Sequence, residues 1–148
     1  MPLDDFLDAW RVSNAINLEL LALCGDDTFE LKPGKGKTIR SNFVHIVSVR
    51  RAFIEEKLPK EAVALPKLDW KSASREEIVS GLQESSKLVE ALLSKQNEKP
   101  GKWTAPKFLA YLVAHEAHHR SQIEVSLRLA GKEPDEEKLY ALWDWAKK

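Results

Sequence analysis

The sequence predicts an all-α protein, a bundle of four long helices with a short fifth helix at the C-terminal end. Three observations carry this. Apolar residues recur at helical spacing in four long blocks. Polar stretches bearing glycine or proline separate the blocks. No convincing run of alternating apolar and polar residues lies between them, and no repeat period is evident. Helices with one apolar face must bury it against each other, which makes a bundle the economical packing. With 148 residues, 43% of them hydrophobic, the chain is long enough to bury a core and is expected to be a single domain over 1–148.

In the first helix, residues 3–24, the apolar positions Leu3, Phe6, Leu7, Trp10, Ile16, Leu20, Leu21 and Leu23 recur about every turn, and Gly25 is placed to end it. "GDDTFELKPGKGK" follows as a polar loop. The second helix, Thr38 to Leu58, must stop before Pro59. Phe43, Val47 and Ile54 line one side of it and Val49 and Phe53 lie toward another, so several neighbours are expected around it. Ser74 and Glu77 form a capping box ahead of Ile78, Leu82, Leu88, Leu92 and Leu93, the third helix. "KQNEKPGKWT" breaks the chain, and Thr104 caps a fourth helix that has Pro106 in its first turn and runs to Ala130 before Gly131. Asp135 opens a last short helix ending "LWDWAKK".

Composition excludes several function classes. Lysines and arginines balance aspartates and glutamates, giving zero formal net charge with the bases scattered among the acids. A nucleic-acid binder needs a basic excess or stripe to neutralise phosphates, so no nucleic-acid partner is expected. No apolar run approaches a bilayer span, and no membrane association is expected. The acidic start "MPLDDFLDAW" is unlike an export signal, and a lone cysteine, Cys24, fits a reducing, cytoplasmic compartment. Cys24 ends an apolar helix face and is read as a small buried hydrophobe.

The chemistry concentrates in "HEAHH", residues 115–119. With about 100° of rotation per residue and His115 set at zero, Phe108 falls near +20°, His119 near +40° and Leu112 near +60°. The two histidines are therefore expected toward the middle of the buried arc, with His118 near −60° and Glu116 near +100° at its two edges. Two imidazoles in a core need partners for their nitrogens, and a shared metal ion supplies one, because i and i+4 histidines can chelate from one face. His45, the fourth histidine, shares a face of the second helix with Ser41, Val49 and Ala52. Two ligands from one helix and one from another is a common way to build a site inside a bundle.

The same pentapeptide satisfies H-E-x-x-H, which opens a metallohydrolase alternative with Glu116 as the base. That reading needs a downstream ligand. Glu133, Glu136 and Glu137 follow Gly131 and Pro134, where helix capping explains them, and no edge strand is evident to hold a peptide.

"FLAYLVAHEAHHRSQIEVSLRLAG" followed by "LYALWDW" closely resembles the C-terminal half of the DinB/YfiT-like superfamily, whose fourth helix typically reads H-x-x-x-H-R-G-Q. "NFVHIVSVRR" supplies the matching position on the second helix. The resemblance implies an up-down-down-up four-helix bundle, often a homodimer, that binds zinc, nickel or a similar divalent ion through His45, His115 and His119. His118 is not a ligand in that pattern, and Ser121 stands where the family usually has glycine. Relatives include S-transferases that use a low-molecular-weight thiol. The implied function is a metal-dependent transferase with a small-molecule substrate of that kind; the alternative is a non-catalytic metal-binding protein of the same fold. Around the site, Gln122 lies one turn on along the ligand face, and Glu116 and His118 are further candidates for supporting it. Glu116 is expected to pair with Arg120 or His118, and Ser41 and Asn42 to line a pocket or pack between helices. Trp143 and Trp145, spaced i and i+2, are expected to anchor the last helix.

Overall fold

The computed structural model describes residues 2–148, and every regular element in them is helical. The long helices are α1 (Leu3–Leu23), α2 (Ile39–Lys57), α4 (Arg75–Glu98) and α5 (Ala105–Leu129); α3 (Pro59–Ala62) is a single turn and α6 (Glu136–Ala141) is short. The expected boundaries hold within a residue for α1, α2 and α5, whereas α4 runs on to Glu98, into the stretch expected to break the chain, and the end signals act largely as read. Thr38 Oγ1 accepts from the Ser41 amide, and the Ser74–Glu77 box closes in both directions. Gly131, at φ 67°, terminates α5, and the Lys132 amide reaches back to the Leu127 carbonyl.

Other readings are corrected. Thr104 and Asp135 occupy cap positions but make no capping bond. α1 ends through an extended Cys24, with Gly25 at an ordinary φ of −67°. The polar loop is not wholly polar, since Phe29 inserts into the core and its carbonyl accepts from the Arg40 amide. The last helix stops at Ala141, and a separate 3-10 turn forms at Trp145–Lys147. There the anchor is Leu142, which is buried in the core, while Trp143 is 70% exposed.

Two apolar clusters fix the topology. One joins the end of α1 (Ile16, Leu20), the start of α2 (Phe43, Val47), the start of α4 (Ile78, Leu82) and the end of α5 (Ile123, Leu127). The other joins the start of α1 (Phe6, Trp10), the end of α2 (Ile54), the second half of α4 (Val89, Leu93) and the start of α5 (Phe108, Leu112). Thus α1 and α5 run one way, α2 and α4 the other, and the bundle is up-down-down-up. Parallel α2 and α4 require residues 58–74 to cross the length of the bundle. Arg40 holds that crossover by donating to the Ala73 carbonyl at 3.0 Å. Gly81 lets it approach: a Cβ there would meet Leu68 Cδ1 at 2.9 Å.

Between the clusters lies a polar layer. Arg50 donates from Nε and Nη2 to Glu116 (2.6 and 2.9 Å) and from Nη1 to Asn14 Oδ1 (2.9 Å) and the Leu82 carbonyl (3.0 Å). The Asn17 amide bridges the remaining members, donating to Glu116 at 2.7 Å and accepting from Arg120 at 2.7 Å. The Arg50 guanidinium also sits 4.6 Å from the Trp10 ring centroid. Every member is hydrogen-bonded, as buried charge demands. No helix is long and apolar enough to cross a membrane among the described residues.

Candidate metal centre

α5 turns its buried arc differently from the sequence expectation. Phe108, Leu112, Glu116, His119, Arg120, Ile123 and Leu127 are buried, which spans roughly +20° to +140° on the wheel defined above. Glu116 therefore occupies the middle of the arc, and His115 lies at its edge, half-buried. Tyr111 and Leu129, which share the His115 side, are exposed. The reason is the polar layer, which draws Glu116 inward to Arg50 and leaves His115 at the lip of the core with His119 just inside it. Arg120, named above as a candidate partner of Glu116, is instead buried and bonded to Asn17.

The structure brings His45, His115 and His119 together. One ring nitrogen from each lies within 4.8 Å of the others, so the three can hold a metal ion. The ring centroids form a triangle with sides of 4.6 Å (His115–His119), 4.6 Å (His45–His119) and 5.4 Å (His45–His115). His119 Nε2 and His115 Nε2 are 3.2 Å apart. Two nitrogens at the usual zinc distance in a tetrahedral shell stand about 3.3 Å apart, so this spacing fits one shared ion.

Asn42 sets the direction of His119. Its Nδ2 donates to the carbonyls of Lys37 (3.3 Å) and Thr38 (3.0 Å), which turns Oδ1 toward the ring. His119 Nδ1 must then donate to that oxygen, at 2.8 Å, leaving the Nε2 lone pair aimed at the triad. His115 is held by stacking on Tyr111, with centroids 5.8 Å apart and rings 14° from parallel; its buried Nδ1 has no partner. Burial lowers the pKa of all three histidines, most for His119, which falls to about 4 with further lowering from His115 and His45. All three are neutral at pH 7, as metal ligation requires.

The other candidates lie outside the triad. His118 is exposed, with its ring edge-on to His119 at 5.1 Å. Gln122 is half-buried, and its side chain makes no hydrogen bond to the triad. Glu116 points away from the site: both carboxylate oxygens are committed to Arg50 and Asn17, and it bonds neither Arg120 nor His118. It is therefore not placed as the base of an H-E-x-x-H hydrolase. Asn42, grouped in the sequence reading with pocket-lining or packing residues, is the one that orients a histidine. Arg50 was missed, although it occupies the apolar stripe of α2 four residues from both Ile46 and Ile54. Cys24 is buried in the core, and burial pushes its thiol up to about 12, so it supplies no thiolate.

An up-down-down-up bundle with a histidine triad shared between its second and last long helices defines a class of helical proteins suited to a metal ion at the lip of the core. The chain belongs to the DinB family, whose model matches residues 1–147. No curated protein and no solved structure matches it.

Proposed function

We propose that this protein is a metal-dependent transferase in which His45, His115 and His119 hold a divalent ion, zinc or nickel by donor type, and a low-molecular-weight thiol is the nucleophile. The observation that carries this reading is the donor set: three neutral imidazoles and no carboxylate converge at a half-open site. Such a set leaves the charge of an ion uncompensated and a position free, and an ion so held lowers the pKa of a thiol brought to it. The protein's residues have narrower duties. Asn42 fixes the tautomer and direction of His119. Tyr111 covers one face of His115. The buried Arg50–Glu116 pair ties α2 to α5 beside the ligands each helix carries.

No nucleophile of the protein is proposed, because Cys24 is buried and protonated. The test follows consumption of a small thiol with a panel of electrophiles, using wild type, metal-free protein, His119→Ala and Cys24→Ala. Activity is expected in wild type and Cys24→Ala alone. Equal rates in all four would leave a metal-binding protein without chemistry of its own.

A further inference from the structure

Beside His45 a groove of about 420 Å³ runs along the first turns of α2, walled on the far side by Leu68 and Trp70 of the crossover. Lys32 and Lys37 stand on its rim, joined by the hydroxyls of Ser41 and Ser48, and no acidic residue lines it. Neither lysine is in an ion pair among the described residues, although many of the chain's other charged groups are. Of the acids nearby in the chain, Glu30 is paired with Arg40, and Asp69, between Leu68 and Trp70, accepts from the amides of Lys71 and Ser72. The net charge of the chain is zero, yet the residues lining this groove include two lysines and no acid.

We propose that this groove holds a carboxylate arm of the substrate, with Lys37 and Lys32 on the acid while the reacting end passes His45 to the triad. The inference rests on the reading of the triad as the reactive centre and adds the substrate class, a small acid. A carboxylate fits better than a phosphate. Phosphate sites at helix starts use free backbone amides, but here the amides of Ile39, Arg40 and Ser41 already donate to Leu31, Phe29 and Thr38. What remains is two ammonium groups and the Ser41 hydroxyl, enough for one oxyanion, since Ser48 Oγ already donates to the Val44 carbonyl. Trp70, 56% exposed, offers an apolar wall for the carbon chain between the two ends.

The test titrates zinc-loaded protein calorimetrically with 3-mercaptopropionate and with its neutral isostere 3-mercaptopropanamide. The acid is expected to bind roughly tenfold more tightly, the gain of one hydrogen bond to a charged group. In Lys32→Gln/Lys37→Gln that preference should disappear while the amide binds as before, which also verifies the fold of the variant. Equal affinities in wild type, or a preference that survives the double substitution because the acid sits on the metal, would overturn the proposal. Inorganic phosphate binding more tightly than the acid, and lost with the lysines, would overturn the assignment to a carboxylate. Cobalt-loaded protein separates the two readings: no thiolate-to-cobalt absorption with either compound ends the thiol reading, while the lysine-dependent preference still decides the groove.

Discussion

Arg50 and Glu116 meet in a two-bond ion pair, 2.6 and 2.9 Å, with both side chains fully buried between the two apolar clusters. The pair joins α2 to α5, the helices that carry the triad, five residues after His45 and one residue after His115. It fixes the rotation of α5: with Glu116 turned to the core, His115 must lie at the edge and His119 just inside it. The ion pair and the imidazole cluster are thus two outcomes of one helix orientation.

Breaking this pair leaves a charge stranded in the core, so Arg50→Met or Glu116→Leu alone should lower the unfolding free energy by about 3–5 kcal/mol. Replacing both partners by apolar residues, as in Arg50→Met/Glu116→Leu, should lose clearly less than the two single changes added together. Urea unfolding of the four proteins checks this. Additive losses would mean that the charges are stabilised by the rest of the layer and not by each other.

Each of His45→Ala, His115→Ala and His119→Ala should abolish near-stoichiometric metal, while His118→Ala retains it, as read by elemental analysis of protein purified without chelator or histidine tag. Saturating ion should raise the unfolding free energy of wild type by about 2.7 kcal/mol at a hundredfold excess over the dissociation constant. Loss of metal in His118→Ala with retention in His45→Ala would overturn the triad.

Much of this was legible in the sequence because helices announce themselves locally. The period of the apolar residues, the Ser74–Glu77 box and Gly131 are all short-range signals, and the long helices begin and end close to where they say. The convergence of His45 with His115 and His119 was also readable, through helix spacing and the family resemblance. What escaped depends on long-range partners. A wheel assigns the buried arc by counting apolar residues and treats Glu116 as an edge. Only a buried arginine 66 positions away makes a carboxylate the centre of that arc. Asn42 was similarly ambiguous, since nothing in "SNFVH" tells which way an amide will turn before His119 is placed against it. Trp143 shows the opposite error, a large apolar side chain assumed to anchor when Leu142 does so.

Asn42→Ala should leave the bundle folded but weaken metal binding by about 10–100-fold, the usual effect of removing the acceptor that orients a ligating imidazole. The ring would lose its fixed tautomer, since no other acceptor faces His119 Nδ1. Competition with a chromogenic chelator measures this. An unchanged affinity would mean that packing against His45 and His115 suffices to orient His119.

The last prediction concerns acid. An ordinary histidine titrates near 6.5, whereas burial holds His119 in the folded protein at about 4 and lowers His45 and His115 in the same direction. Between these values the unfolded chain binds protons that the folded site refuses, so stability must fall as pH falls through that window. It is fully present above about pH 6.5, declines toward about pH 4, and levels off once the folded site is protonated too. Other groups of the chain contribute to the overall acid dependence, so the quantity to measure is the difference in melting temperature between metal-free wild type and His119→Gln. That difference should shift against wild type as pH drops from 7 to 4.5. The same depression moves metal binding. Free imidazole would begin to lose ions below about pH 6, and rings whose pKa burial lowers should hold metal to a lower pH than that. A metal-release midpoint at or above pH 6, together with a melting difference flat in pH, would show that the rings are not buried as the structure places them.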